Sequence, residues 1–209
     1  MPTLLYLQAS PRRERSYSTQ VANTFVEAWQ AANPGAAIIV KNLFEEALMP
    51  FDGHALQARY HARQPELLTP QEQEAWGQVA LLAEEFKAAD RLVIASPMWN
   101  FMIPYRLKQY LDIIIQPGLT FTVTPDGQYQ GLATGTKALC VLARGGAYPA
   151  GTPAEAYDFQ SKYLRFALGF IGVTDVTTLF VEPTLAGKEQ AEQARDAMAA
   201  KAREMATTF

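Results

Sequence analysis

Short unbroken apolar runs alternate along this chain with segments whose apolar positions recur every three or four residues. The first pattern suits strands covered on both faces, the second helices that bury one stripe. Thr3 to Ala9 is the first run, and it breaks at Ser10-Pro-Arg-Arg-Glu-Arg-Ser-Tyr-Ser18. Val21, Phe25, Ala28 and Trp29 then mark a helix that Asn33-Pro-Gly35 ends, and Ala36 to Val40 makes a second strand. From Leu43 to Leu68 the periodicity is lost, and a loop of that length is functional or contains short helices. Thr69-Pro-Gln-Glu72 predicts a capping box with Pro at the first helical position. The helix it opens carries Trp76, Val79, Ala80, Ala83 and Phe86 on its buried side.

The run Arg91-Leu-Val-Ile-Ala-Ser-Pro-Met-Trp-Asn-Phe101 is central. Leu92 to Ala95 hold no polar residue, and Pro97 has no N–H to continue a ladder, so a buried strand ends there in a loop. Ile103 to Ile115 reads as a helix with Pro104 in its first turn. Pro125-Asp-Gly127 between β-prone flanks predicts a small hairpin excursion. Thr136 to Ala143 is a further strand ending at Arg144-Gly-Gly-Ala-Tyr148. A helix over Pro153 to Ile171 aligns Ala156, Phe159, Tyr163, Phe166, Ala167 and Phe170, and Val173 to Val181 is the last strand. The final helix, Gly187 to Ala206, has Ala191, Ala194, Met198, Ala202 and Met205 on its stripe.

Such alternation predicts an α/β fold, a parallel sheet with helices on both faces. Five strands fit the order 2-1-3-4-5, which sets strands 1 and 3 side by side where the winding reverses. Their following loops, Ser10 to Ser18 and Pro97 to Phe101, then line one crevice, with Arg144 to Tyr148 next to it.

At 209 residues, one domain over 1–209 is expected rather than two. The 49% hydrophobic and 19% charged fractions argue against long disorder, and a net charge of -3 gives no electrostatic footprint for nucleic acid. Leu4 to Leu7 is too short for a signal segment or membrane span. The lone Cys140 excludes an intrachain disulfide and a cysteine-based zinc site. A cytoplasmic protein with no membrane partner is the expectation. Because Cys140 lies in a predicted interior strand, it also leaves a phosphatase-type loop after strand 1 without its nucleophile.

The three loops carry the chemistry. Ser10, Ser16, Ser18, Thr19 and three arginines at a helix start suit a phosphate, although a solvated Ser/Arg cap has the same composition. No G-x-G-x-x-G or G-K-[ST] is present, which weakens dinucleotide and P-loop readings. Trp99, Phe101 and the Asn100 amide suit a planar heterocycle with a polar edge, or an aromatic strand end packed on the next helix. Gly145 and Gly146 permit close approach of backbone N–H groups to a ring, or form a simple turn.

Ser10 with Ser16-Tyr-Ser18, the run from Pro97 to Asp112, Gly118-Leu-Thr-Phe121, Arg144-Gly-Gly146 and Leu168-Gly-Phe-Ile-Gly172 together resemble the FMN-dependent NADH-azoreductases. These are flavodoxin-like NAD(P)H:quinone reductases, three-layer sandwiches, and the likeness covers essentially the whole chain. It implies a homodimer with one non-covalent FMN per subunit, reduced by NADH or NADPH, then oxidised by a quinone or azo compound in a ping-pong cycle. It places the phosphate on Ser10, Ser16, Tyr17 and Ser18. It places the isoalloxazine along Pro97, Met98, Trp99, Asn100 and Phe101, with Ala143, Arg144, Gly145 and Gly146 at its pyrimidine edge. Tyr60, Tyr129, Tyr148 and Phe170 are expected around the substrate, Phe170 matching an aromatic that the family supplies across the dimer. His54 and His61 fall in the same variable stretch as Tyr60.

Two positions depart from the family. Ala143 stands where many relatives have Ser, and Trp99 where a Tyr is common. No nucleophile or metal is required, because the flavin carries the hydride chemistry. Arg144, or the Gly145 and Gly146 amides, is expected to stabilise negative charge on the reduced ring. An FMN electron carrier without small-molecule turnover is the alternative, and a regulatory protein that keeps the fold without the chemistry is a third reading.

Overall fold

The computed structural model describes residues 1–62 and 64–209. Its strands in chain order are β1 (Thr3–Gln8), β2 (Ala37–Asn42), β3 (Arg91–Pro97), β4 (Phe121–Val123), β5 (Tyr129–Gly131), β6 (Lys137–Ala143) and β7 (Asp175–Val181). Its helices are α1 (Tyr17–Ala32), α2 (Gly53–His61), α3 (Pro70–Lys87), α4 (Tyr105–Ile114), α5 (Phe159–Phe170) and α6 (Lys188–Ala206). Five strands form one parallel sheet in the order β2-β1-β3-β6-β7, and β4 and β5 pair separately as an antiparallel hairpin. With the hairpin set aside, that is the order 2-1-3-4-5 expected from the sequence.

Side-chain alternation splits the core into two layers. Leu5, Leu7, Leu92, Ile94, Cys140 and Leu142 face α3, α4 and α5. Leu4, Tyr6, Val93, Ala95, Leu139 and Val141 face α1 and α6. The central strands β1, β3 and β6 are buried along nearly their whole length, which is why they read as unbroken apolar runs.

Local chemistry explains most element starts. Thr69 and Glu72 form the capping box reciprocally, with N···O distances of 2.9 and 3.3 Å. The aperiodic stretch holds α2, whose N-cap Asp52 accepts from His54 N and Ala55 N, and a 3-10 turn at Pro65–Leu67.

Three expectations are corrected. Pro104 is not inside α4 but is its N-cap, extended at ψ 148, with its carbonyl accepting from Lys108 N. The helix expected over Pro153 to Ile171 is split: a 3-10 turn spans Pro153–Tyr157, and Asp158 then caps α5. Part of the expected α5 stripe faces outward, with Phe159 57% and Phe166 71% exposed, while Ala167 is buried and Tyr163 and Phe170 pack partly against the core. Leu164 and Leu168, outside that stripe, are the α5 residues that enter the core fully.

Candidate functional site

The carboxyl ends of β1, β3, β6 and β7 bring four loops to one cleft of about 200 Å³. The β1 loop contributes Ser10, Pro11, Arg12, Ser16 and Tyr17. Ser16 precedes α1 in an extended conformation and makes no side-chain cap, so the first N–H groups of the helix have no local acceptor. Ser10, Ser16 and Ser18 are buried hydroxyls, with Ser16 Oγ 3.1 Å from Ser18 Oγ. In the same turn, Thr19 Oγ1 is buried with no partner among the described residues. Arg12 is the one charged side chain on the described cleft wall, and no carboxylate faces it there. This combination has the chemistry that suits an anion.

The β3 loop supplies Pro97, Met98 and Trp99. Met98 N donates to Ala143 O at 2.8 Å, prolonging the β3–β6 ladder to the cleft. Trp99 and Met102 then exchange both N–H···O bonds, at 2.8 and 3.0 Å, around a two-residue turn. Its central residues are left-handed, Asn100 at φ 47 and Phe101 at φ 70. Asn tolerates that region; Phe rarely occupies it, at a cost of roughly 1–2 kcal/mol. The turn is braced by rings, Trp99 against Phe44 at 5.6 Å and Phe101 against Tyr157 at 5.4 Å.

Ala143 and Gly145 complete that wall, together with Thr184 and Leu185 from the loop after β7. Leu185 N donates to Gly145 O, and Thr184 N donates to Arg144 O, so the two loops run as a pair. A Cβ on residue 145 would lie 2.6 Å from Leu185 Cδ1, which is what the missing side chain permits.

Eight of the thirteen residues expected around a cofactor therefore line the cleft: Ser10, Ser16, Tyr17, Pro97, Met98, Trp99, Ala143 and Gly145. Ser18 is buried beneath it; Asn100 and Phe101 form the turn tip beyond it. Gly146 is exposed beside Tyr148.

Arg144 lies behind the wall. Alternation along β6 sends Leu142 toward α5 and Ala143 toward α1, and it continues through Arg144 and Gly145. The guanidinium is 1% exposed, donates from Nη1 to Asp158 Oδ2 at 2.8 Å, and sets Nε 2.7 Å from Glu182 Oε2, an ion pair without hydrogen-bond alignment. Burial pushes the Asp158 carboxyl up, but hydrogen bonds from Ser161 and the Arg144 charge outweigh it and hold the group below its ordinary range. Removing one partner from such a buried cluster costs roughly 3–5 kcal/mol. Direct contact of this side chain with a group in the cleft, one of two roles expected of the Arg144-Gly-Gly146 segment, is not what the geometry provides.

The residues expected around a substrate do not meet in the cleft. Tyr129 and Phe170 pair at 5.3 Å, and Phe170 lines a groove of about 300 Å³ between α4 and α5 with Phe166 and Tyr163. That groove is larger than the cleft but has no helix start or buried hydroxyls, so the chemistry is assigned to the cleft. Tyr148 covers Gly146, and Tyr60 is exposed on α2. Pro11, Thr184 and Leu185 were not foreseen. A parallel sheet ends all its strands at one edge, so the Pro183-Thr-Leu185 break after the last strand was the available signal.

Burial pushes the Cys140 thiol up to about 12, as its interior position demands. Among the described residues there is no cluster of metal-ligating side chains, and no helix is long and apolar enough to cross a membrane.

Comparison with known proteins shows the family. Residues 2–206 match the flavodoxin-like fold family. The chain is 54% identical to the FMN-dependent NADH:quinone oxidoreductase of Nitratidesulfovibrio vulgaris, covering 100% of both, and 41% identical to that of Desulfotalea psychrophila, covering 92% and 91%. The chain belongs to the flavodoxin-like FMN-dependent NADH:quinone oxidoreductase family. Solved azoreductase structures superpose closely. One from Bacillus anthracis Sterne has a TM-score of 0.91 at 28% identity over 100% of both chains. The FMN complex of an FMN-dependent NADH-azoreductase from Bacillus anthracis Ames Ancestor has a TM-score of 0.87 at 27% identity, covering 99% and 100%. The chain's own residues fit the family's cofactor: an uncapped helix start with buried hydroxyls for a phosphate, an aromatic wall, and a glycine edge for a flat ring.

Proposed function

We propose that this chain is an FMN-dependent NAD(P)H oxidoreductase that reduces quinones and azo compounds by two electrons in a ping-pong cycle. One observation carries the reading: a carboxylate-free helix start with buried serines shares a cleft with Trp99 and the Gly145 edge. When bound, FMN supplies the redox chemistry, taking hydride from NADH or NADPH and giving both electrons to the acceptor.

The chain's own work is to bind and orient. Ser10, Ser16 and Ser18 with the first N–H groups of α1 hold the phosphate, and Tyr17 and Arg12 flank it. Met98 and Trp99, with the Asn100–Phe101 turn beyond them, would hold the ring, and Ala143 with the Gly145 and Gly146 amides would offer it a polar edge. The relatives' names favour NADH as donor.

The active form in this reading is a cytoplasmic homodimer of single-domain subunits. The outward aromatics of α5, with the Phe170 groove, are the face that a second copy would cover and bring near the partner's cleft. Adding NADH to FMN-loaded protein without oxygen tests the function. Rapid bleaching of the flavin absorbance, reversed stoichiometrically by a benzoquinone, is expected; absence of bleaching refutes reductase activity and leaves an electron carrier.

A further inference from the structure

Arg144 adjoins the cleft without lining it, and its buried side chain ties together three segments. Nη1 reaches Asp158 at the start of α5, Nε lies beside Glu182 after β7, and the guanidinium carbon is 3.8 Å from the Phe180 ring centroid. The same residue's carbonyl accepts from Thr184 N at 2.9 Å and from Thr184 Oγ1 at 3.1 Å. Thus Arg144 grips the β7 loop twice, by side chain at Glu182 and by main chain at Thr184. The next pair along, Leu185 N to Gly145 O at 3.1 Å, delivers both residues to the cleft wall.

We propose that Arg144 is a positioning residue: by holding Asp158 and Glu182 it fixes the Gly145 and Thr184–Leu185 wall against the flavin ring, without touching the ring itself. This rests on the FMN reading above. Arginine suits the task because its planar fork presents several fixed donors and stays charged at every working pH. Lysine offers one mobile point charge and cannot span two carboxylates in the same way. Lys162 and Arg165 line the cavity behind the cluster, so other cations stand near the second carboxylate, but they do not link it to β6.

The wall acts on the ring and the serine seat on the phosphate, so comparing FMN with riboflavin separates the two, and the dichroism separates both from loss of the fold. Loosening the wall weakens FMN and riboflavin by a similar factor, whereas damage at the serine seat weakens FMN alone.

The test titrates FMN and riboflavin into apoprotein of wild type, R144K, R144M and E182Q. Flavin fluorescence gives affinity, circular dichroism checks the fold, and the two-electron midpoint potential is measured on loaded samples. R144M is expected to keep the wild-type dichroism but bind both flavins at least tenfold more weakly, with R144K and E182Q intermediate. The oxidised and reduced affinities are expected to change unequally, and each tenfold difference moves the potential by about 30 mV. Wild-type affinity and potential in folded R144M and R144K overturn the proposal. So does a loss of affinity that only accompanies loss of dichroism while E182Q binds normally. If wild-type apoprotein takes up no FMN, the FMN reading itself fails, and this inference falls with it.

Discussion

At the scale of single residues, the turn after Trp99 concentrates backbone cost at the mouth of the cleft. Asn100 and Phe101 are both left-handed, and only the first is a residue that tolerates it. Asn100→Gly is expected to melt within a degree or two of wild type, whereas Asn100→Ala loses roughly 1 kcal/mol, because alanine at positive φ has no local hydrogen bond to offset the strain. Thermal denaturation of the two apoproteins checks this, and equal melting points would show that the left-handed conformation is not maintained in solution. Which residues meet in the cleft was largely legible: serines at a helix start, aromatics at a strand end and paired glycines after another strand stand out by type. Arg144 was expected at the cleft and lies behind it, although period-two alternation from Leu142 already puts it on the α5 side. Its carboxylate partners were not, because Asp158 and Glu182 lie 14 and 38 positions away and only the folded chain brings them together.

Elements were read well where one apolar stripe or one buried run decided the matter, as in α1, β3 and the Thr69 capping box. They were misread where apolar residues lie on more than one side of a helix. In α5 the leucines enter the core, Tyr163 and Phe170 pack only partly against it, and Phe159 and Phe166 are left outside. The hairpin was foreseen from its turn, but its anchor was not. A Cβ on Gly131 would lie 2.2 Å from Gly172 N, so two backbones touch where β5 meets the turn after α5. Ala133 N donates to Ile171 O alongside, at 2.8 Å. Gly131→Ala is expected to cost about 1–3 kcal/mol as an overpacked contact. Limited proteolysis between 121 and 131 should speed up in that variant while cleavage elsewhere does not. Unchanged proteolysis would mean that the hairpin docks by its aromatic cluster alone.

For the whole molecule, the parallel order and the convergence of loops at one sheet edge followed from the alternation of strands and helices, whereas the outer faces did not. Nothing in a single chain's periodicity tells a stripe meant for the core from one meant for a second copy. Phe159 and Phe166 of α5 and the Phe170 groove beside them make an aromatic surface whose coverage is worth about 1.5–3 kcal/mol per ring. Phe166→Glu is expected to shift sedimentation from dimer to monomer at micromolar concentration without lowering the monomer's helix content. A wild type that sediments as a monomer would refute the proposed dimer, and a variant that remains dimeric would place its contact elsewhere. Cys140 acquires a different meaning in a protein assigned to quinones, which are soft electrophiles that arylate sulfur. Only the ionised thiolate reacts, and burial in the sheet pushes this thiol up, away from that form at neutral pH. Sealed beneath the sheet, the chain's one sulfhydryl is spared poisoning by the compounds the protein consumes.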